Sequence, residues 1–355
     1  MKAIDFSIDA LLRAGLARGM DEARYDGRMP YRRCGRSGLH LPALSLGLWH
    51  NFGEVDDLAA GEAMLKHAFE SGVTHFDLAN NYGPPPGSAE LNFGKMLGSV
   101  LAGCRDELVI ATKAGHQMWP GPYGDWGSRK HLLSSLDQSL KRMKIDYVDI
   151  FYSHRPDPET PLEETMGALA HAVQSGKALY VGLSKYPLDR LKEAVEILAA
   201  MGVKAVVYQG RYSLLYRGVE GDGILDWLKE EGLGFTGFSP LGQGMLTGKY
   251  LEKVDAESRA GREEGFLTGE EVSRNLSIVR ELATVANDCG MPLRDLALRW
   301  ALDHPATTSL IVGARTVSQL EENLAVLQAP PLSEDVTKRL NEIVPPTPTG
   351  DSGHG

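Results

Sequence analysis

The chain has 355 residues, 43% of them hydrophobic and 24% charged, and carries a formal net charge of −10 at pH 7. That balance suits a globular protein with a large core and excludes nucleic acid as a partner, because phosphate binding needs a basic face. Three widely spaced cysteines (Cys34, Cys104, Cys289) exclude a disulfide framework, the scattered histidines give no metal-ligand spacing, and no apolar run approaches the ~20 residues of a membrane helix.

Residues 1–30 read as an N-terminal extension. Asp5 and Asp9 interrupt the stretch that a signal peptide would keep apolar, so a cytoplasmic location is expected. Tyr31–Leu41, with the turn Gly35-Arg36-Ser37-Gly38, reads as a hairpin. Short β-rich runs then alternate with helical periodicity. The expected pairs are strand Ala43–Gly47 with helix Leu58–Ser71, Thr74–Asp77 with Ala89–Leu97, and Leu108–Lys113 with Lys130–Lys141. Next come Tyr147–Tyr152 with Leu162–Ser175, Ala178–Ser184 with Leu188–Ala200, and Lys204–Gln209 with Ile224–Glu231. Strand Gly234–Phe238 is followed by the long, Gly-rich, charged stretch Leu241–Gly269, whose length marks it as functional or mobile. Helices near Ser273–Asp288 and Leu293–Asp303, strand Ser309–Val312 and helix Val317–Leu327 complete the pattern. Alternation of this kind means parallel strands with crossover helices, which a doubly wound sheet or a closed barrel satisfies. Eight repeats favour a (β/α)8 TIM barrel with an N-terminal hairpin and extra helices, occupying 31–344 as one domain. The Pro/Gly-rich tail, 345–355, is expected to lack fixed structure.

Active groups of such a barrel sit at the C-terminal ends of its strands. Strand two ends in THFDLANNYG, giving Asp77 and, five residues on, Tyr82. Strand three ends in ATKAG, giving Lys113, and strand four in IFYSHR, giving His154. A free phenol is too weak an acid for proton transfer near neutrality. A lysine ammonium beside it stabilises the phenolate, a carboxylate holds the lysine charged, and a histidine donates to a carbonyl oxygen as charge builds there. Together they fit carbonyl reduction. Taken singly, each has a plain structural reading: a strand-end acid, a packed histidine, a loop tyrosine, or a lysine that is structural or forms a Schiff base. Their joint placement on successive strand ends lifts the catalytic reading.

The stretches LSLGLWHNFG, THFDLANNYGPPPGSAE, YVDIFYSHR and ALYVGLSKY resemble the aldo-keto reductase superfamily. They are similar in particular to the branch holding the L-glyceraldehyde 3-phosphate reductases and the potassium-channel β subunits. The likeness spans about residues 31–330. It implies the tetrad Asp77, Tyr82, Lys113 and His154, and NADPH as cofactor. Trp49 would border the nicotinamide and the substrate. Ser184, Lys185 and Gln209 would contact the carboxamide region, and Phe238 would stack on the ring. Ser239, Leu241 and Gln243 would follow the pyrophosphate, with Lys249 supplying charge. Gly242–Tyr250 resembles a P-loop but lacks its Ser/Thr and first glycine, and no GxGxxG follows an early strand. Gly313 and Ala314 would turn beneath the adenosine, Arg315 would fork onto a 2′-phosphate, and Gln319, Glu322 and Asn323 would contact the adenosine. Close relatives in this branch often carry serine at the Arg315 position.

The substrate is less legible, because loops build its pocket. Trp49, Tyr82, His154 and Arg155 are the substrate candidates, with Trp119, Trp126 and Tyr152 as apolar walls, Tyr152 alternatively sitting in the core. Arg155, Arg129, Lys130 and Arg211 are available for an anionic group. A small carbonyl compound, phosphorylated or a neutral keto sugar, is the expected partner. The alternatives are a cofactor-binding regulatory module with little turnover, a reductase of an oxidised hexose, and a lyase built on Lys113. The resemblance also implies a homo-oligomer.

Overall fold

The computed structural model describes residues 20–249 and 269–349. Strands β1 (Tyr31–Arg33) and β2 (His40–Pro42) pair antiparallel, with Tyr31 opposite Pro42. Eight further strands close into a parallel barrel. They are β3 (Leu44–Gly47), β4 (His75–Asp77), β5 (Val109–Ala114), β6 (Val148–Ser153), β7 (Ala178–Ser184), β8 (Ala205–Arg211), β9 (Gly234–Phe238) and β10 (Thr307–Val312), with β10 closing onto β3. The expected (β/α)8 barrel with its hairpin is the observed fold.

Both faces of these strands are covered, so β4, β6 and β10 are buried along their whole length. Alternation sorts the two faces. On β5, Ile110 joins the core under the helices, whereas Ala111 joins Ile150, Tyr152 and Val207 inside the barrel. The hairpin contributes Cys34 and Leu41 to that inner cluster and so closes the N-terminal end of the barrel. The approach is close: a Cβ on Gly35, whose φ is +56°, would lie 2.1 Å from the Gly232 carbonyl oxygen.

The helices are α1 (Leu58–Glu70), α2 (Ser88–Leu97), α3 (Arg129–Met143), α4 (Leu162–Gln174), α5 (Leu188–Ala200), α6 (Gly218–Gly221), α7 (Ile224–Glu231), α8 (Gly269–Asp288), α9 (Leu293–Asp303), α10 (Val317–Leu324) and α11 (Glu334–Ile343). Side-chain caps from Asp57, Ser128, Thr316 and Ser333 start α1, α3, α10 and α11. Two elements were not expected. Helix α6 is a single turn, and α11 shows one narrow apolar stripe, Val336, Leu340 and Ile343, in an otherwise polar run. The expected last helix, Val317–Leu327, ends earlier and continues as a 3-10 turn over Ala325–Gln328. Residues 345–349 of the tail run against α6, where the Thr349 amide donates to Asp222 at 3.1 Å. Most of the Leu241–Gly269 stretch, Tyr250 included, and the first 19 and last six residues lie outside the described residues. No helix among the described residues is long and apolar enough to cross a membrane.

Candidate active site

Alternation turns Lys113 inward near the C-terminal end of β5, where it is fully buried. Its ammonium has three protons, and three oxygens stand round it. Asp77 Oδ2, at the end of β4, is 2.6 Å away, the Leu78 carbonyl 2.7 Å and the Tyr82 hydroxyl 3.2 Å. Asp77 is itself braced, its Oδ1 accepting from Gln209 Nε2 on β8 at 2.9 Å. Tyr82 lies on the loop beyond β4, with its ring centroid 6.0 Å from that of His154, which follows β6. Trp49, beyond β3, stands 6.3 Å from the Tyr82 ring. Four groups named from strand ends therefore meet at one mouth of the barrel.

The electrostatics of this mouth favour uncharged donors. Burial, then the charge of Asp77, pushes the Tyr82 phenol well above its usual range. Burial leads here, so the phenol stays high although the Lys113 ammonium donates to it at 3.2 Å. Burial, then the charge of Lys113, holds His154 well below the usual imidazole value. Burial also lowers Lys113, while Asp77 and Glu90 act to raise it. A neutral phenol and a neutral imidazole each retain a proton to donate, which is what a carbonyl oxygen acquiring charge requires.

The positions named for a cofactor form an arc around the same mouth. Ser184 ends β7, and its buried hydroxyl has no protein partner among the described residues. Lys185 follows with φ +62°, its ammonium 5.8 Å from the Phe238 ring at the end of β9. Burial and the charges of Lys113, Arg155 and Arg211 lower the Lys185 pKa to about 8. Ser239 and Gln243 also hold left-handed backbones, at +54° and +57°. Leu241 and Gln243 belong to the turn Gly242–Thr247 and its leading edge, where the Gln243 side-chain oxygen is buried without a protein partner among the described residues. A Cβ on Gly244 would lie 2.9 Å from Lys249 Nζ, which places that ammonium over the turn. Left-handed non-glycine residues cost energy and cluster at functional sites, and here three of them line one arc. Beyond β10, Gly313 faces open space. The Arg315 amide donates to Gln319 Oε1 at 2.9 Å at the start of α10. Asn323 is buried, and Glu322 pairs with Arg294. Unpartnered buried polar atoms, strained backbones and a helix N-terminus fit a dinucleotide laid across the mouth.

The substrate candidates are brought together in part. Arg155 gives Nη2 to Asp125 at 2.7 Å and Nε to the Gly115 carbonyl at 2.7 Å, and stacks 3.6 Å over the Trp126 ring. Trp119 packs on His131, ring centroids 5.0 Å apart. Tyr152 lies wholly inside the barrel core. Arg129 bonds the Gly167 carbonyl at 2.9 Å, Lys130 lies over Tyr123, and Arg211 stacks 3.2 Å over Tyr216. His116 escaped the sequence reading. Its ring stands edge-on to His154 at 4.5 Å, and burial with Arg155 and Lys185 nearby lowers its pKa to about 4. Its place three residues past Lys113, in ATKAGH, is the signal that would have found it.

Comparison with known proteins agrees with this geometry. The sequence profile described as the aldo/keto reductase family matches residues 43–345. The chain is 53% identical over 321 residues to the L-glyceraldehyde 3-phosphate reductase of Escherichia coli (strain K12), covering 89% of this chain and 92% of that one. It is 55% identical over 305 residues to the protein of that name from Escherichia coli O157:H7, covering 85% and 88%. A probable voltage-gated potassium channel subunit beta of Oryza sativa subsp. japonica is 35% identical over 327 residues, covering 90% and 98%. With its barrel and strand-end groups, the chain belongs to the aldo/keto reductase family.

Proposed function

We propose that this enzyme reduces a small aldehyde of the triose phosphate class to the alcohol, with NADPH as cofactor and Tyr82 as proton donor. One observation carries the reading. Lys113 spends its three protons on Asp77, the Leu78 carbonyl and Tyr82, which holds a single phenol at the end of a charged relay. Bound NADPH supplies the hydride. Tyr82 donates its proton to the carbonyl oxygen, and Lys113 steadies the phenolate that remains. His154, uncharged, donates a hydrogen bond to the same oxygen as negative charge develops there. Trp49 and Tyr82 form the apolar side of the pocket. Arg155, fixed by Asp125 and Gly115 and close enough for its charge to act on His154, is the candidate group for an acidic substituent.

The phosphorylated substrate rests on the similarity to the Escherichia coli reductases, and NADPH over NADH rests on Arg315 at the start of α10, the end that favours anions. A Schiff-base role for Lys113 is disfavoured, because a fully buried ammonium with three acceptors has no free electron pair to attack a carbonyl. The cytoplasm, where thiols stay reduced, suits the three free cysteines. The test is oxidation of NADPH, followed at the nicotinamide band, with L-glyceraldehyde 3-phosphate, methylglyoxal and keto sugars. Multiple turnovers that fall when the phosphate is removed from the substrate are expected. A single slow turnover with every aldehyde would instead support a cofactor-binding regulatory module.

A further inference from the structure

One buried carboxylate near the site has no part in the chemistry above. Glu90, on α2, is fully buried behind β5. Its Oε1 accepts from the Thr112 hydroxyl at 2.6 Å, and its Oε2 accepts from Arg142 Nε, on α3, at 2.7 Å. Arg142 also donates to the Ser139 hydroxyl at 3.2 Å. Thr112 precedes Lys113, and alternation puts the two on opposite faces of β5. Glu90 therefore grips the outer face of the strand at the residue next to the ammonium that serves Tyr82. A buried charge is costly unless paired, and packing alone would be served by an apolar side chain here.

We propose that Glu90 is a positioning residue for Lys113, acting through Thr112 and through its negative charge behind β5. The inference rests on the reading of Lys113 as the partner of Tyr82. Thr112 fixes where β5 presents Lys113, and the Glu90 charge adds to that of Asp77 in keeping the buried ammonium protonated. The other titratable groups facing Lys113 are Asp77 from β4, Tyr82 from the following loop, Tyr152 from β6, and His75, His154, His116 and Lys185. Of these, Asp77 is the other carboxylate, so removing Glu90 leaves Lys113 with one acid in place of two.

The test uses the full chain with NADPH and L-glyceraldehyde 3-phosphate. Wild type, Tyr82→Phe, Glu90→Gln and Thr112→Val are compared by single-turnover rate from pH 6 to 10, NADPH affinity by fluorescence, and thermal unfolding. Glu90→Gln should lose about tenfold in single-turnover rate, the scale on which outer-sphere partners of functional groups act. Its alkaline limb should move about half a pH unit down, since a lost negative neighbour lowers the Lys113 pKa. KM for the aldehyde and affinity for NADPH should stay within about twofold of wild type, because the contact made is neither to substrate nor to cofactor. Thr112→Val keeps the volume and the Glu90–Arg142 pair, and should slow the single turnover with NADPH affinity unchanged. A folded Glu90→Gln protein with the wild-type rate and limb would overturn the proposal, as would a loss confined to KM and thermal stability. If Glu90→Gln does not fold, a wild-type rate in Thr112→Val overturns it. Should Tyr82→Phe turn over like wild type, the functional reading fails instead, and the two failures are distinct.

Discussion

At the residue scale, the site is governed by how little water reaches it. Burial and the neighbouring charges act in the same direction at Tyr82 and at His154, so both stay uncharged and keep the proton that the proposed reaction needs. The same effect reaches His75, buried inside β4, and His116, both held at about 4. The sign of the linkage follows. As pH falls through 6.5 the unfolded chain takes up protons at these imidazoles, while the folded chain refuses them until near 4. Stability is therefore complete above about pH 6.5 and is lost progressively towards pH 4. The urea midpoint should fall steadily over that window, and three imidazole C2 proton signals should fail to titrate above pH 5. A midpoint flat from pH 7 to 4 would contradict the burial of these groups. The candidate tetrad was legible in the sequence because its members lie at or just beyond the ends of three successive strands, and those ends are bounded by periodicity. Glu90 and His116 were not, because their relevance comes from packing between α2 and β5 and from the loop beyond β5.

At the element scale, the strands were legible because buried parallel strands are short apolar runs bounded by glycine and polar residues. The helices were legible through their 3.6-residue stripe, and Leu188–Ala200 and Leu293–Asp303 are observed as expected. Helix α11 escaped because its stripe buries fully only Leu340. Two substitutions test the element-level packing. A Cβ on Gly182 of β7 would lie 2.2 Å from the Tyr152 ring, so Gly182→Ala must displace that ring or the strand. It should cost about 1–3 kcal/mol in urea unfolding, the scale of overpacking a core. Asp57 caps α1 by accepting from the Ala59 amide at 2.9 Å. Asp57→Ala should cost roughly 1 kcal/mol with activity unchanged, since Asp57 is exposed and bonds the Ala59 amide and not the groups around Lys113. A neutral Gly182→Ala would mean that the inner core has room where none is seen.

At the scale of the whole molecule, one end of the barrel is plugged and the other carries the candidate site. The hairpin drives Cys34 into the inner core, where burial pushes its thiol up to about 12. Cys104 is also buried and raised, while Cys289 is partly exposed. Iodoacetamide should therefore modify Cys289 in the native protein and reach Cys34 after unfolding, as peptide mass mapping can read. The closed barrel was legible as a count of eight repeats, but the plug was not. A hairpin is a local pattern, and where it docks depends on Gly35 and Gly234 admitting the close approach of strand ends distant in sequence. The substrate was least legible for a related reason: Arg155, Asp125 and Trp126 acquire their arrangement from loop packing. The account's central claim is that Tyr82 gives the proton, and its most direct test is Tyr82→Phe in single-turnover reduction of L-glyceraldehyde 3-phosphate. The substitution removes one hydroxyl at the site, so NADPH affinity should remain within about twofold while the reduction rate falls by at least ~100-fold, the scale of lost general acid catalysis. A Tyr82→Phe protein that binds NADPH and reduces the aldehyde at the wild-type rate would contradict it.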